Sequence, residues 1–220
     1  MIQNDSRKVK KGDIFIAIKG VVNDGHDYID EAIKNGASKI ICEYGKGVIV
    51  KDTKKYLEDY LKDNYYDQIK HLKLIGITGT NGKTTTAYLI YQALNQLGIK
   101  CAYIGTLGFY MDGIYQKLNN TTPDLLELYQ LLLKAKKCQY VVMEVSSQGL
   151  SYGRVETLKF DYCIFTNLTE DHLDYHKTME NYAASKQLLF KKLKSSGVSI
   201  INIDDKYHNY FKTNQTITYG

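Results

Sequence analysis

The segment Gly79-Thr80-Asn81-Gly82-Lys83-Thr84 follows the apolar run Leu74-Ile75-Gly76-Ile77 and opens a stretch with helical periodicity. A strand that turns through glycines straight into a helix aims its loop N–H groups, and those of the first helical turn, at one point. Such a point attracts phosphate, and the glycines let the anion approach the backbone. Lys83 adds a mobile positive charge for β/γ-phosphates and Thr84 a hydroxyl for Mg²⁺. The spacing departs from G-x-x-x-x-G-K-[ST], since Ile77 stands where the first glycine would be. Gly76, Gly79 and Gly82 do not fit the dinucleotide pattern G-x-G-x-x-G either. A chance match in a surface turn is disfavoured by the flanking strand and helix.

Strand and helix patterns alternate after Lys73, with strands expected at 73–78, 101–107, 140–145, 162–167, 198–203 and 216–219. A helix is expected from Lys83 to Leu97, with Ala87, Ile90, Leu94 and Leu97 on one face and Gly98 as cap. Others enter through Thr122-Pro123-Asp124, with Pro123 in the first turn, and through Thr178. This alternation predicts an α/β fold with a mostly parallel sheet covered on both faces, its ligand beyond the carboxyl ends of the strands. Residues 1–70 read as a separate small α/β unit: strands over 13–18, 39–42 and 48–50, a short helix ended by Gly36, and an exposed helix over 53–70 leading to a linker. Residues 71–220 form the second domain, and a last strand at 216–219 would leave its sheet unfinished.

Two polar clusters follow strands. Glu144-Val145-Ser146-Ser147-Gln148 places a carboxylate where it could hold Mg²⁺, a cation that prefers hard oxygens. In Thr166-Asn167-Leu168-Thr169-Glu170-Asp171-His172, His172 or a neighbouring carboxylate could complete a second metal site. Alone, His172 reads as structural, Glu144 as a solvated strand end and Lys186 as an ordinary helix lysine. The chain has 29 Lys and Arg residues together, of which only Arg7 and Arg154 are arginine. Where lysine is the default cation, an arginine points to a bidentate contact with phosphate or carboxylate.

The net charge of +5 is scattered, which fits anionic small molecules and argues against nucleic acid. Cys42, Cys101, Cys138 and Cys163 are widely spaced, as buried reduced thiols of a cytoplasmic protein would be. No run is long enough for a membrane span, and the polar stretch from Met1 to Lys11 is not expected to act as a secretory signal.

Asp5-Ser6-Arg7 with Gly12-Asp13-Ile14-Phe15, the Gly79–Thr84 loop, Asn120-Thr121-Thr122-Pro123-Asp124, Met143-Glu144-Val145-Ser146-Ser147 and Asp171-His172-Leu173-Asp174-Tyr175-His176 together resemble the Mur ligase family. The likeness is to its UDP-N-acetylmuramoyl-L-alanyl-D-glutamate ligase (UDP-N-acetylmuramyl-tripeptide synthetase) type. It implies a small N-terminal uridine-nucleotide-binding domain before a central P-loop ATPase domain. It also implies ATP-dependent addition of an amino acid, L-lysine or meso-diaminopimelate, through an acyl phosphate in peptidoglycan synthesis. Gly79, Thr80, Asn81, Gly82, Lys83, Thr84 and Thr85 would bind ATP. Glu144, His172 and Lys186, the last as a CO₂-derived carbamate, would hold a second Mg²⁺ beside the one on Thr84. Ser6, Thr121, Thr122, Ser146 and Arg154 would hold the UDP-muramoyl-dipeptide. Gln148 and Tyr152 depart from the family's His and Gln, which touches substrate contacts rather than the reaction. The resemblance further implies a C-terminal domain beyond Gly220, so the chain alone is expected not to complete ligation. A non-catalytic binding module and a folylpolyglutamate-synthetase relative are the alternatives.

Overall fold

The computed structural model describes residues 1–20 and 23–220, which form two compact units, Met1–Tyr66 and Asp67–Gly220. The first carries a four-stranded parallel sheet of β1 (Ile2–Gln3), β2 (Ile14–Ile16), β3 (Lys39–Cys42) and β4 (Val48–Ile49), in that order. Phe15, Ala17, Ile40 and Cys42 pack with Ile29 and Ala32 of α1 (Ile29–Lys34) and with Val9. Ile33 of the same helix is exposed. Helix α2 (Thr53–Ile69) is less exposed than its charge suggests: Leu57, Leu61 and Ile69 are buried, and only a short turn separates it from the next strand.

The second unit contains β5 (Lys73–Thr78), α3 (Lys83–Gln96), β6 (Cys101–Gly105), β7 (Gly108–Met111), β8 (Ile114–Gln116), α4 (Leu125–Lys134) and β9 (Tyr140–Glu144). It continues through α5 (Ser147–Ser151), β10 (Phe160–Phe165), α6 (Leu173–His176), α7 (Met179–Phe190), β11 (Leu193–Asn202) and β12 (Thr216–Tyr219). The eight strands lie in the order β12-β11-β10-β5-β9-β6-β7-β8, parallel except for the β6–β7 and β7–β8 pairs. The chain leaves β5 toward β6 and β9 and then returns to β10 on the other side. Its order therefore reverses around β5, where such sheets open a ligand crevice.

Several expectations need correction. The strand begun at Cys101 stops at Gly105, and an unexpected hairpin follows through Asp112 and Gly113, both at positive φ (47° and 77°). Leu97 is exposed; α3 packs through Ala87, Tyr88, Ile90, Tyr91 and Leu94 against Ile75, Ile77, Tyr103 and Val142. Pro123 precedes the cap of α4, Asp124, whose carboxylate accepts from Glu127 N at 2.9 Å. Gly76 is a close-approach position, because a Cβ there would stand 2.9 Å from Leu189 and Phe160 side-chain atoms. The four cysteines are buried and unpaired. Among the described residues no helix is long and apolar enough to cross a membrane.

Candidate nucleotide and substrate site

Helix α3 is preceded by its cap residue Gly82, whose φ of +82° is a left-handed conformation that glycine adopts without strain. No side chain caps this helix, whereas Asp124, Ser146 and Thr178 cap α4, α5 and α7. The first-turn N–H groups of Lys83, Thr84 and Thr85 have no acceptor within the helix, which suits an anion. The loop is fastened from the β10 side: Thr80 N donates to Asn167 O (2.8 Å), Asn81 N to Asn167 Oδ1 (2.9 Å), and Thr166 Oγ1 to Asn81 O (2.6 Å). A Cβ on Gly79 would overlap Thr166 Oγ1, so the tight approach of β10 requires glycine there. Thr78 Oγ1, at the same strand end, is buried without a hydrogen-bond partner among the described residues.

Two lysines converge on one carbonyl. Lys83 Nζ donates to Gly79 O (3.0 Å) and Thr80 O (2.7 Å), and Lys186 Nζ donates to Gly79 O at 2.8 Å. Lys186 is 1% exposed and lies 4.2 Å from the Tyr182 ring centroid. Burial, and then the neighbouring Lys83 charge, push the Lys186 amine well below the ordinary lysine range; burial lowers Lys83 as well. An unfolded Lys186 regains its ordinary value of 10.5 and so holds a proton that the folded amine has given up. Stability is therefore expected to rise with pH between the lowered value and 10.5, by no more than the ~1.4 kcal/mol per pH unit that one proton allows. Denaturant melts of the unsubstituted protein and Lys186→Met in carbonate-free buffer test this. The unsubstituted protein should gain on the variant from pH 7 toward 10, and a gap independent of pH refutes it.

Glu144 is fully buried at the end of β9, paired in register with Ile77. Its Oε1 accepts from Tyr103 Oη (2.5 Å) and Thr106 N (2.8 Å); its Oε2 accepts from Thr84 Oγ1 (2.8 Å) and Thr106 Oγ1 (3.2 Å). Thr84 and Glu144 thus meet beside the loop, offering a hydroxyl and a carboxylate to a hard cation. Among the described residues, no three His, Cys, Asp or Glu side chains are grouped to hold a metal by themselves. The oxygens present fit Mg²⁺, which takes few protein ligands and completes its shell with water and phosphate.

The anticipated substrate residues of this unit surround the same glutamate. Thr122 Oγ1 donates to Glu144 O (3.1 Å) and accepts from Ser146 N (2.9 Å). Arg154 Nη1 donates to Thr122 O (2.7 Å), and Thr121 Oγ1 lies 3.0 Å from Thr106 Oγ1. A Cβ on Gly149 would press to 2.8 Å against Thr122, so α5 approaches this segment only through glycine.

Other residues are placed differently. Among the described contacts, His172 pairs with Asp171 (3.5 Å) and meets the Tyr182 ring edge-on, without touching Glu144 or Lys186. Ser6 lies in the first unit, where its hydroxyl donates to Glu31 at 2.5 Å and its carbonyl accepts from Asn35. A cleft of about 300 Å³ in that unit is lined by Lys19, Glu43, Lys51, Asp52, Thr53 and Lys54, and does not include Ser6. Arg7 forms its bidentate contact with Asp5, through Nε and Nη2 at 2.9 Å each. Sequence reasoning missed Tyr103 and Thr106. Thr106 follows a strand end, the position that identified Glu144, whereas Tyr103 gave no signal in a chain with 20 tyrosines.

Comparison with known proteins shows the family and the fold. Residues 77–220 match the Mur ligase middle domain and residues 1–77 the Mur ligase family catalytic domain. The chain belongs to the Mur ligase family. It is 46% identical over 216 residues to a UDP-N-acetylmuramoyl-L-alanyl-D-glutamate--2,6-diaminopimelate ligase of Fusobacterium nucleatum, covering 94% of this chain and 44% of that protein. The protein of the same name from Bacillus velezensis is 40% identical over 236 residues, covering 100% and 48%. A solved structure of such a ligase superposes with a TM-score of 0.79 at 32% identity, over 99% of this chain and 47% of that one. MurF from Acinetobacter baumannii gives 0.76 at 25% identity, over 100% and 48%. FolC of E. coli, in complex with ADP, shares the fold at 17% identity and a TM-score of 0.51, over 76% and 51%. The chain spans about half the length of the curated relatives it matches.

Proposed function

We propose that these residues bind Mg²⁺-ATP and UDP-N-acetylmuramoyl-L-alanyl-D-glutamate for an acid–amino-acid ligase that adds 2,6-diaminopimelate, the amino acid in the names of the relatives. The observation that carries the reading is the contact of Thr84 with Glu144 at 2.8 Å, with Thr122, Ser146 and Arg154 anchored around that glutamate. Phosphate donor and acceptor carboxylate would then meet at one strand end. The γ-phosphoryl group passes to the dipeptide's terminal carboxylate, giving an acyl phosphate and ADP. The incoming neutral amine attacks the acyl carbon, expels inorganic phosphate and gives up one proton to solvent as the amide forms. Lys83 holds the β/γ-phosphates, and the α3 N-terminus supplies further N–H donors. Thr84 and Glu144 would hold the cation, which would supply positive charge against the negative charge of the transferring group. Arg154, already fixed to Thr122 O, orients the muramoyl-peptide.

Lys186 suits a carbamate, because CO₂ captures a neutral amine and burial favours that form. Conversion to an anion also relieves its repulsion with Lys83. His172, whose Nε2 lies 3.5 Å from Asp171 Oδ2, would complete the ligands of the second cation. The first unit is assigned the uridine end of the substrate, on the Ser6 motif, and the protein to the cytoplasm.

Calorimetric titration of the full chain with ATP plus Mg²⁺, with the UDP-muramoyl-dipeptide and with dihydropteroate tests the reading. Binding of the first two and not the third is expected. Selective dihydropteroate binding would move the chain toward folate ligation. Failure to bind either ATP or the UDP-sugar peptide would refute the proposal.

A further inference from the structure

Strand register places Tyr103 opposite Val142, so Tyr103 and Glu144, two residues further along β9, share a face of the sheet. That face packs on α3. Continued by one step, the same register sets Gly105 beside Glu144. A Cβ on Gly105 would overlap both Glu144 Oε1 and the Tyr103 hydroxyl, so the missing side chain is what lets the phenol reach the carboxylate diagonally. Tyr103 is itself fixed: it is fully buried and meets the Tyr88 ring edge-on at 5.6 Å between centroids.

The two oxygens of Glu144 are consequently unequal. Oε1 is held by a buried phenol at 2.5 Å and a backbone N–H at 2.8 Å, neither of which can turn away without moving the core or the strand end. Among the described residues, Oε2 is held by the hydroxyls of Thr84 and Thr106, whose O–H hydrogens can turn aside so that the oxygens face a cation through their lone pairs. We propose that Tyr103 is a positioning residue that locks Oε1, so that the site meets its divalent cation through Oε2 alone and favours Mg²⁺ over Ca²⁺. The inference rests on the proposed ATP site. Its chemistry follows from the cations: Mg²⁺ demands compact octahedral geometry, whereas Ca²⁺ accepts bidentate carboxylates at longer distances. Releasing Oε1 frees the carboxylate to swing and chelate, which helps the larger ion and costs the smaller one its fixed ligand.

The test is to titrate Mg²⁺ and Ca²⁺ into the full chain with N-methylanthraniloyl-ATP, for the unsubstituted protein and Tyr103→Phe. The variant is expected to lose about 10-fold in Mg²⁺ affinity, the lower range for loss of a group that orients a ligand. Its preference for Mg²⁺ over Ca²⁺ should fall by at least about threefold, and its nucleotide affinity in EDTA should stay unchanged. A purely structural role would weaken both cations and the metal-free nucleotide alike. An unchanged Mg²⁺/Ca²⁺ ratio, with binding still cation-dependent, overturns the role of Tyr103 and leaves the ATP site standing. No cation-dependent nucleotide binding by the unsubstituted protein overturns both. Where Tyr103→Phe does not fold, the infrared carboxylate bands of the unsubstituted protein on Mg²⁺ addition decide. The wide splitting of a one-oxygen ligand supports the assignment, and the narrow splitting of a chelating one refutes it.

Discussion

Glu144→Ala is expected to lower the melting temperature of the second unit by about 10 °C and to remove the cation dependence of nucleotide binding. Truncation strands Tyr103 Oη, which points at Oε1 in a fully buried setting, and also releases Thr106 N at the exposed strand end, where water can take the place of the carboxylate. A buried donor left without a partner costs about 1–3 kcal/mol. The Thr84 and Thr106 hydroxyls can turn elsewhere and add little. A total near 3 kcal/mol, at roughly 2–4 °C per kcal/mol for a unit of this size, gives the expected shift. Glu144→Gln separates shape from charge. Its amide oxygen still accepts from Tyr103 and Thr106, and its amide nitrogen donates to the two threonine hydroxyls once they rotate. Its melting point should therefore stay within about 3 °C of the parent, as for a change below ~1 kcal/mol. Mg²⁺ affinity should nevertheless fall by more than the roughly 10–100-fold that loss of an outer-shell partner costs. Thermal melts and Mg²⁺ titrations with ATP measure both quantities. Cation-dependent binding that survives in Glu144→Gln would remove this residue from the metal site.

What could be read in the sequence was what depends on neighbours along the chain. Strand β5, the glycine turn and α3 follow from apolar period and glycine spacing, and β12 matches its expected span residue for residue. The scarcity of arginine drew attention to Arg154, now seen tied to Thr122. The same argument applied to Arg7 led to a local pair with Asp5 instead, because the count carries no information about which carboxylate is near. Short elements escaped: α5 and α6 have 5 and 4 residues, too few for a helical period to show. The β7–β8 hairpin did carry a signal, the Asp112-Gly113 pair suited to a two-residue turn, but the long strand reading absorbed its start. Tyr103 and Gly105 were invisible for a different reason. Their role lies in strand register and in a diagonal contact with Glu144, 41 positions further on.

Lys83→Met is expected to weaken Mg²⁺-ATP binding by about 100-fold, near the upper end of what one charge-assisted contact contributes. The Lys83 amine is folded over its own loop, donating to Gly79 O and Thr80 O. Those carbonyls hold it at the mouth of the phosphate cradle, and an arriving β/γ-phosphate offers a stronger acceptor at a short swing. Methionine keeps the stem and its packing while removing the charge. The loop itself should persist, since Asn167 and Thr166 fasten it from β10 independently of the lysine. Loss of the cation also lifts one like charge from Lys186, so its amine should titrate higher in the variant. Lys83→Arg should rescue binding poorly, because a planar guanidinium does not reproduce the compact ammonium held between two loop carbonyls. Calorimetric ATP titrations of the three proteins, with melting curves as the control for folding, decide the point. A Lys83→Met protein that binds ATP like its parent would mean that the phosphates do not reach this lysine, and that the α3 N-terminus alone holds the nucleotide.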